Sequence, residues 1–96
     1  MVERTLLIKS RLGLHARAAA KLVRVATGFE SQVTVRRSDS SLVADAKSIL
    51  DVLMLAASRG TSLKVSVDGA DEEQAIAAIE QLFADGFGEL EPESAL

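Results

Sequence analysis

The stretch from Ser62 to Phe83 reads SLKVSVDGADEEQAIAAIEQLF, and its hydrophobic period changes halfway along. Over residues 62–68 apolar and polar side chains alternate strictly, which is the pattern of a strand with one buried face. We therefore predict a strand that buries Leu63, Val65 and Val67.

After the turn residues Asp68 and Gly69, apolar positions recur every three or four residues, as they do in an amphipathic helix. The predicted helix is capped by Asp71, carries two glutamates in its positive first turn and ends at Gly86. Its buried stripe is predicted to consist of Ile76, Ile79 and Phe83.

The same two patterns divide the rest of the chain. Strands are predicted over residues 2–9, 31–37 and 41–46, with the turn residues SDS between the last two. Helices are predicted over residues 16–27, stopped by Gly28, and from Lys47 to about Leu55. Half-polar strands that alternate with helices indicate an α+β fold, in which an antiparallel sheet is covered by helices on one face.

Composition narrows the classes of function. The 96 residues suffice for one domain, which we expect to span residues 1–89, with residues 90–96 as an acidic, flexible end. With no cysteine and one histidine, neither a disulfide nor a zinc site is expected. The lack of Trp and Tyr argues against a stacking surface for single-stranded nucleic acid. No signal peptide or membrane span is recognisable, so a cytoplasmic protein is expected. We also expect a monomer without cofactor or metal.

Charge is distributed unevenly along the chain. Residues 1–47 hold nine Lys and Arg against four Asp and Glu, a net charge of +5, whereas residues 48–96 hold two against ten, a net charge of −8. The basic half also contains the only histidine. This asymmetry points to an anionic ligand or an acidic partner for the first half of the chain.

The histidine, His15, stands in the segment GLHARAA (residues 13–19), at the predicted start of the first helix. The first turn of a helix offers unpaired N–H groups and a positive dipole end, which together favour anions. Arg17 has a planar fork suited to phosphate oxygens, and Lys21 and Arg24 continue a basic stripe at helical spacing. Because neutral imidazole is a nucleophile, we predict that His15 accepts a phosphoryl group stabilised by Arg17. A purely structural role for a lone histidine is the alternative.

Nothing else in the chain supplies a complete active site. One histidine, no cysteine and no glycine-rich phosphate loop leave no catalytic triad and no nucleotide pocket. A phosphoryl carrier, which needs only an acceptor and an anion hole, therefore fits better than an enzyme.

Three segments carry a family resemblance: GLHARAAAKLVRVATGFES (residues 13–31), ADAKSILDVLMLAASRG (44–60) and VDGADEEQAIAAIEQLFADGFGE (67–89). They resemble the histidine-containing phosphocarrier (HPr) family of the bacterial phosphotransferase system, for which GLHAR is specific. The resemblance implies an open-faced sandwich of four antiparallel strands and three helices. It also implies a relay from enzyme I, charged by phosphoenolpyruvate, through His15 to an enzyme IIA acceptor, with Arg17 as the active-site arginine.

The resemblance further marks Ser48 as a regulatory phosphorylation site, which would require a serine kinase or phosphorylase as partner. From the residues alone, Ser48 is the N-cap of the second helix, with Asp51 in a variant of the capping box. Asp51 stands where the family often has a small neutral residue, and its carboxylate would repel a phosphoserine. Ala18 stands where the family usually has proline, which we expect to matter little in a first helical turn.

The second helix is apolar almost all the way round, and so small a domain cannot bury all of it. The resemblance implies that Ile49 and Leu53 dock enzyme I beside a cationic rim, whereas a core role alone is the alternative. The predicted cationic partner-binding residues are Arg17, Lys21, Arg24 and Lys47.

Two other functions compete with a sugar-linked carrier. One is the nitrogen-regulatory branch of the same family, with the same chemistry at His15 but another enzyme I and IIA. The other is a small nucleic-acid-binding module that uses the basic half, although the acidic second half argues against it. The sequence does not specify a sugar.

Overall fold

The structure is a computed structural model that describes residues 1–89. The predicted acidic end, residues 90–96, lies outside the described residues. Among the described residues, no helix has both the length and the apolar character needed to cross a bilayer.

Four strands and three helices form an open-faced sandwich. The strands are β1 (Val2–Leu7), β2 (Gln32–Arg37), β3 (Val43–Asp45) and β4 (Ser62–Asp68). The helices are α1 (Ala16–Thr27), α2 (Ile49–Met54) and α3 (Glu72–Ala84), and a short 3-10 helix follows at Gly86–Gly88. The sheet is antiparallel throughout, in the order β1-β4-β2-β3. The predicted fold class and order of elements are confirmed.

The ends of several predicted strands and helices differ from the sequence pattern, most clearly those of β1, β3 and α2. β1 stops at Leu7, yet the buried Ile8 still exchanges two backbone hydrogen bonds with the segment before β4, at 2.9 Å to both Gly60 and Thr61. β3 begins at Val43, two residues late, and α2 begins after its cap Ser48.

The core lies between the sheet and the helices. The three apolar side chains predicted for β4 are fully buried, as are those of Val33 and Val35 in β2, because the register places them on one face. Each such side chain contributes about 1.5–3 kcal/mol when removed from water. The helices contribute Ala18, Ala19, Leu22, Ala26, Val52, Ala75, Ile76, Ile79 and Phe83.

Helices α1 and α2 lie antiparallel, and hydrogen bonds tie them together at both ends. At one end the Leu14 N–H donates to the Ala57 carbonyl at 2.7 Å, just before α1 and just after α2. At the other end Lys47 Nζ donates to the Phe29 carbonyl at 2.9 Å, just before α2 and just after α1. The start of α1 therefore lies beside the end of α2.

The predicted side-chain caps are only partly correct. Ser48 Oγ does accept from the Asp51 N–H at 3.4 Å, but the Asp51 carboxylate accepts from the Asp45 N–H and not from Ser48. Asp71 precedes α3 as predicted, yet its carboxylate makes no cap hydrogen bond. It accepts instead from the backbone N–H groups of Glu30 and Ser31, at 2.8 and 2.9 Å, and from the Ser31 hydroxyl.

Candidate functional site

The loop before α1 fixes the position of His15. The buried Ser10 exchanges hydrogen bonds with Gly13: the Gly13 N–H donates to the Ser10 carbonyl, and Ser10 Oγ donates to the Gly13 carbonyl, both at 3.0 Å. Gly13 has a φ of +70°, and a Cβ there would lie 2.6 Å from the Ala57 carbonyl oxygen. Only glycine fits this close approach without strain, which accounts for the first residue of the GLHAR motif.

His15 is the N-cap of α1, and its ring takes the role of a capping side chain. Its backbone is extended, with φ −78° and ψ −178°, and its Nδ1 accepts from the Arg17 N–H at 3.3 Å. Nδ1 thus faces the N–H groups of the first turn, at the positive end of the helix dipole. This is the anion-favouring position that the sequence predicts for His15.

The other ring nitrogen contacts a residue that the sequence analysis does not single out. His15 Nε2 lies 2.6 Å from Glu89 Oε1, and the Glu89 side chain is only 15% exposed. A carboxylate can only accept, so Nε2 carries the proton. Nδ1, which accepts from a backbone N–H, holds the lone pair. Both contacts select the same tautomer of the neutral ring.

The segment after α3 holds Glu89 in place. Phe87 has a left-handed backbone, with φ 58°, which costs about 1–2 kcal/mol for a residue other than glycine. Its ring is fully buried, with its centroid 4.9 Å from that of Phe83, and this packing offsets the strain. Lys21 Nζ donates to the Phe87 carbonyl at 2.7 Å. These contacts attach the Gly86–Glu89 segment to α1 and α3.

Arg17 lies next to the ring in the first turn. Its side chain is 75% exposed, and its Nη1 is 3.8 Å from Glu89 Oε2. A cleft beside it is lined by Arg11, Leu12, Arg17, Gly88 and Glu89. Two guanidinium groups therefore line the approach to the carboxylate that contacts His15, which favours an anionic ligand there.

The cations predicted to bind partners separate into two groups in the structure. Arg17 and Arg24 are exposed on α1. Lys21 and Lys47, in contrast, donate to the backbone carbonyls of Phe87 and Phe29. Both lysines are half-buried, so each has a structural contact in addition to any role on the surface.

The surface of α2 exposes more apolar side chains than the two that the resemblance implies. Ile49 and Leu53 are 38% and 36% exposed, whereas Leu50 and Met54 reach 70% and 69%. Val52 and Leu55 are buried. A core role for all of these residues is therefore wrong, and α2 carries an exposed apolar patch whose last residue, Met54, lies at the end of the helix that adjoins the start of α1. We refer to Ile49, Leu50, Leu53 and Met54 as the α2 patch.

Ser48 lies at the opposite end of α2 from His15. Two carboxylates flank it: Asp51 accepts from the Asp45 N–H at 3.2 Å, and Asp45 accepts from the Lys47 N–H at 2.9 Å. Asp51 thus remains close to Ser48, as the expected repulsion of a phosphoserine requires.

Sequence reasoning missed Glu89 because no local signal marks it. The residue is 74 positions from His15, and an acidic residue after a helix is ordinary in a chain with 14 Asp and Glu. The glycines on both sides of Phe87 were the one hint, since paired glycines allow a tight turn at the end of a helix.

A family model and two relatives show the class of protein to which this chain belongs. The family model described as the PTS HPr component phosphorylation site matches residues 2–85. The phosphocarrier protein HPr of Xylella fastidiosa is 45% identical over 89 residues, which cover 93% of this chain and 98% of that one. The phosphocarrier protein NPr of Escherichia coli is 40% identical over 88 residues, covering 92% and 97%.

A solved structure agrees with these matches. The crystal structure of HPr-C-His from Thermoanaerobacter tengcongensis superposes with a TM-score of 0.88 at 42% identity, and it covers 95% of this chain and 100% of that one. The chain is thus a phosphocarrier of the phosphotransferase system. It belongs to the HPr family.

Proposed function

We propose that His15 is the residue that carries the phosphoryl group, accepting it at Nδ1. The observation that supports this most directly is the position of Nδ1, which holds a lone pair and faces the first-turn N–H of Arg17 at 3.3 Å. A phosphoryl group on this nitrogen has its oxygens at the helix N-terminus, where backbone donors and the dipole stabilise negative charge. The exposed Arg17 guanidinium reaches the same oxygens and stabilises the charge that moves with the group.

We further propose that the donor is phospho-enzyme I and that the acceptor is an enzyme IIA component. The α2 patch lies on the helix whose end adjoins the start of α1, where Arg17 is exposed, so an apolar surface and an exposed cation occur on neighbouring helices. Such a surface suits an acidic partner with an apolar contact region. In this proposal Ile49, Leu53, Arg17 and Arg24 contact the partner directly, and Lys21 and Lys47 contribute positive charge from their structural positions.

Three further parts of the proposal concern setting and regulation. The protein acts as a cytoplasmic monomer, with residues 1–89 as its one domain. Ser48 is a regulatory site for a serine kinase, although Asp45 and Asp51 raise the electrostatic cost of a phosphate there. The chain serves the sugar-linked branch, and the nitrogen-regulatory branch is the alternative, since relatives named HPr and NPr are 45% and 40% identical.

Substitution of His15 tests the central assignment. His15→Ala should abolish phosphorylation by phosphoenolpyruvate and a matching enzyme I, because no other described side chain presents a ring nitrogen to the helix N-terminus. His15→Asn is the matched control for folding, since asparagine caps helices well but is no phosphoryl acceptor. The measurement is intact mass after the reaction, and a variant that still gains an acid-labile phosphoryl group would refute the assignment.

A further inference from the structure

We propose that Glu89 is a positioning residue for phosphoryl transfer, which keeps the proton on His15 Nε2 in both directions of the reaction. The proposal depends on the proposed function, because it assigns a role within the same site. One carboxylate makes both contacts that carry it: Oε1 lies 2.6 Å from His15 Nε2, and Oε2 lies 3.8 Å from Arg17 Nη1.

Contacts of the neighbouring residues fix the position of Glu89. Phe87 holds a left-handed backbone because its ring is buried against Phe83, and Lys21 holds the Phe87 carbonyl. A Cβ at Gly88, which has a φ of +75°, would lie 3.1 Å from Lys21 Nζ. The strained backbone of Phe87, its buried ring and the close approach at Gly88 thus fix the segment. In this position the Glu89 carboxylate contacts His15.

The second oxygen of Glu89 also points to a role in the reaction. Oε2 is buried and has no hydrogen-bond partner among the described residues. An unsatisfied buried oxygen destabilises a fold, so its presence calls for an explanation. Here the carboxylate keeps its charge available to the two cationic groups beside it, which are the Arg17 guanidinium and the ring once it becomes positive.

The chemistry of acceptance requires this charge. The lone pair on His15 Nδ1 forms the bond to phosphorus, while the bond from phosphorus to the donor breaks and its electron pair leaves with the donor. Since Nε2 retains its proton, the phosphorylated ring carries a positive charge. A carboxylate at Nε2 stabilises that charge and holds the ring orientation, as the buried aspartate does for the histidine of a catalytic triad.

The onward step depends on the same proton. When the phosphoryl group moves to the next acceptor, the electron pair of the N–P bond returns to Nδ1. The leaving group is neutral imidazole only if Nε2 has kept its proton, and otherwise it is the far more basic imidazolate. Glu89 therefore keeps the phosphoryl group transferable, and its loss should make the phosphorylated protein longer-lived and slower to pass the group on.

Two substitutions separate the geometry of Glu89 from its charge. Glu89→Ala removes both, whereas Glu89→Gln keeps an acceptor oxygen of similar reach without the charge. Glu73→Ala and Glu73→Gln are matched controls, because Glu73 is exposed on α3 away from the site. In the unphosphorylated protein, NMR should detect an exchange-protected Nε2–H proton in the wild type, in Glu89→Gln and in both controls, but not in Glu89→Ala.

Single-turnover transfer gives the second readout. Glu89→Ala should slow both acceptance and onward transfer by about 10-fold or more, by analogy with the loss of a carboxylate that orients a metal-binding histidine, with Glu89→Gln in between. The phosphorylated variants should also hydrolyse more slowly than the wild type without acceptor, which a folding defect would not produce. Wild-type rates and lifetime in Glu89→Ala would overturn the proposal. A wild-type protein that accepts no phosphoryl group would instead overturn the proposed function, while the ring N–H signal would still report whether Glu89 fixes the tautomer.

Discussion

His15 combines two roles at the scale of a single residue, since the ring nitrogen that caps α1 is also the proposed nucleophile. In the unphosphorylated protein, Nδ1 accepts a hydrogen bond from the Arg17 N–H at 3.3 Å, and this length makes the bond weak. Under the proposed function, a phosphoryl oxygen would replace Nδ1 as the acceptor after transfer, and it would carry more negative charge. In that case the helix N-terminus has a cap in both states, and a weak hydrogen bond is exchanged for a stronger one.

Arg17 is the second residue whose role can be tested in isolation. Arg17→Ala should slow single-turnover transfer by about 100-fold, since removing one donor to a developing charge typically costs 10²–10³-fold and this side chain is largely exposed. Thermal stability should change little for the same reason. The measurement is quenched-flow phosphorylation at saturating phospho-enzyme I.

Arg24→Ala is the control for Arg17, because Arg24 is exposed on the same helix but two turns further along. It should weaken association at low salt while leaving the rate at saturation unchanged, since its proposed contact with the partner is away from the reacting atoms and is screened by salt. Equal saturating rates for Arg17→Ala and the wild type would remove Arg17 from the transfer step.

At the scale of elements, α1 and α2 act as one surface because hydrogen bonds join them at both ends. The Leu14–Ala57 bond sets the start of α1 against the end of α2, and the Lys47–Phe29 bond fixes the opposite ends. A partner that contacts the α2 patch is thereby held in a defined orientation to His15. Ser48 lies at the far end of this unit, away from His15.

Ser48→Asp tests whether charge at that far end regulates docking. The substitution should lower the rate of phosphorylation by enzyme I, because an added negative charge opposes an acidic partner. The melting temperature should stay nearly unchanged, since aspartate also caps helices and suits the dipole, which offsets the repulsion of one added charge by Asp45 and Asp51. Reaction rates are measured over a range of salt, and the effect should shrink as salt rises.

The matched control is Ser48→Asn, which has the shape and capping ability of aspartate without the charge. It should leave both the rate and the melting temperature close to those of the wild type. If Ser48→Asp instead lowers the melting temperature by several degrees and leaves the rate of phosphorylation unaltered, Ser48 is only a structural cap.

The strands and helices also show which features can be predicted from sequence. Features that depend on neighbouring residues are predicted, and features that depend on distant residues are not. The periods of two and of 3.6 residues place the strands and helices, because burial of one face is a local property of the chain. Capping rules also act locally, over about three residues, which is why Ser48 is predicted correctly. Asp71 fails the same rule because three donors from Glu30 and Ser31, about 40 residues away, compete for its carboxylate.

In the candidate site, too, local features are predicted from sequence and long-range contacts are not. His15 and Arg17 are recognised from a local motif at a helix start, where the physical chemistry depends on adjacent residues. Glu89 and the anchoring role of Lys21 depend on contacts across 74 and 66 positions, which only the completed fold defines. Lys47 shows the same effect, since its ammonium group is directed to the Phe29 carbonyl by the packing of two helices.

At the scale of the whole molecule, Asp71 connects the loop after α1 to the start of α3. The Ser31 hydroxyl and then the Glu30 backbone N–H lower the pKa of the Asp71 carboxyl below its usual value, because both donate to the ionised form. The unfolded chain therefore binds a proton more readily than the folded one. The stability from this contact is complete above the unfolded pKa of about 3.9 and is lost as pH falls through the lower, folded value.

Asp71→Asn should reveal this contribution as a change in how steeply the free energy of unfolding depends on pH. Wild-type stability should fall as pH drops from about 5 through the folded pKa of Asp71, whereas Asp71→Asn should be less stable at neutral pH and fall less steeply. The measurement is thermal or urea unfolding at a series of pH values. Glu73→Gln, at an exposed position on α3, should keep the wild-type slope, and an unchanged slope in Asp71→Asn would show that the contact is not linked to acid sensitivity.

The contact between His15 and Glu89 also has a consequence for how the protein is made in the cell. A ribosome synthesises the histidine early and its carboxylate 74 residues later, after every strand and helix of the sandwich. A chain cut off after Ala84 would contain the sequence of all of these elements but would lack the carboxylate, the buried Phe87 ring and the Phe87 carbonyl that Lys21 holds. Under the role proposed for Glu89, such prematurely terminated or clipped chains exchange phosphoryl groups slowly. Under that role, residue 89 is the last of the described positions that a chain must contain to reach the full transfer rate.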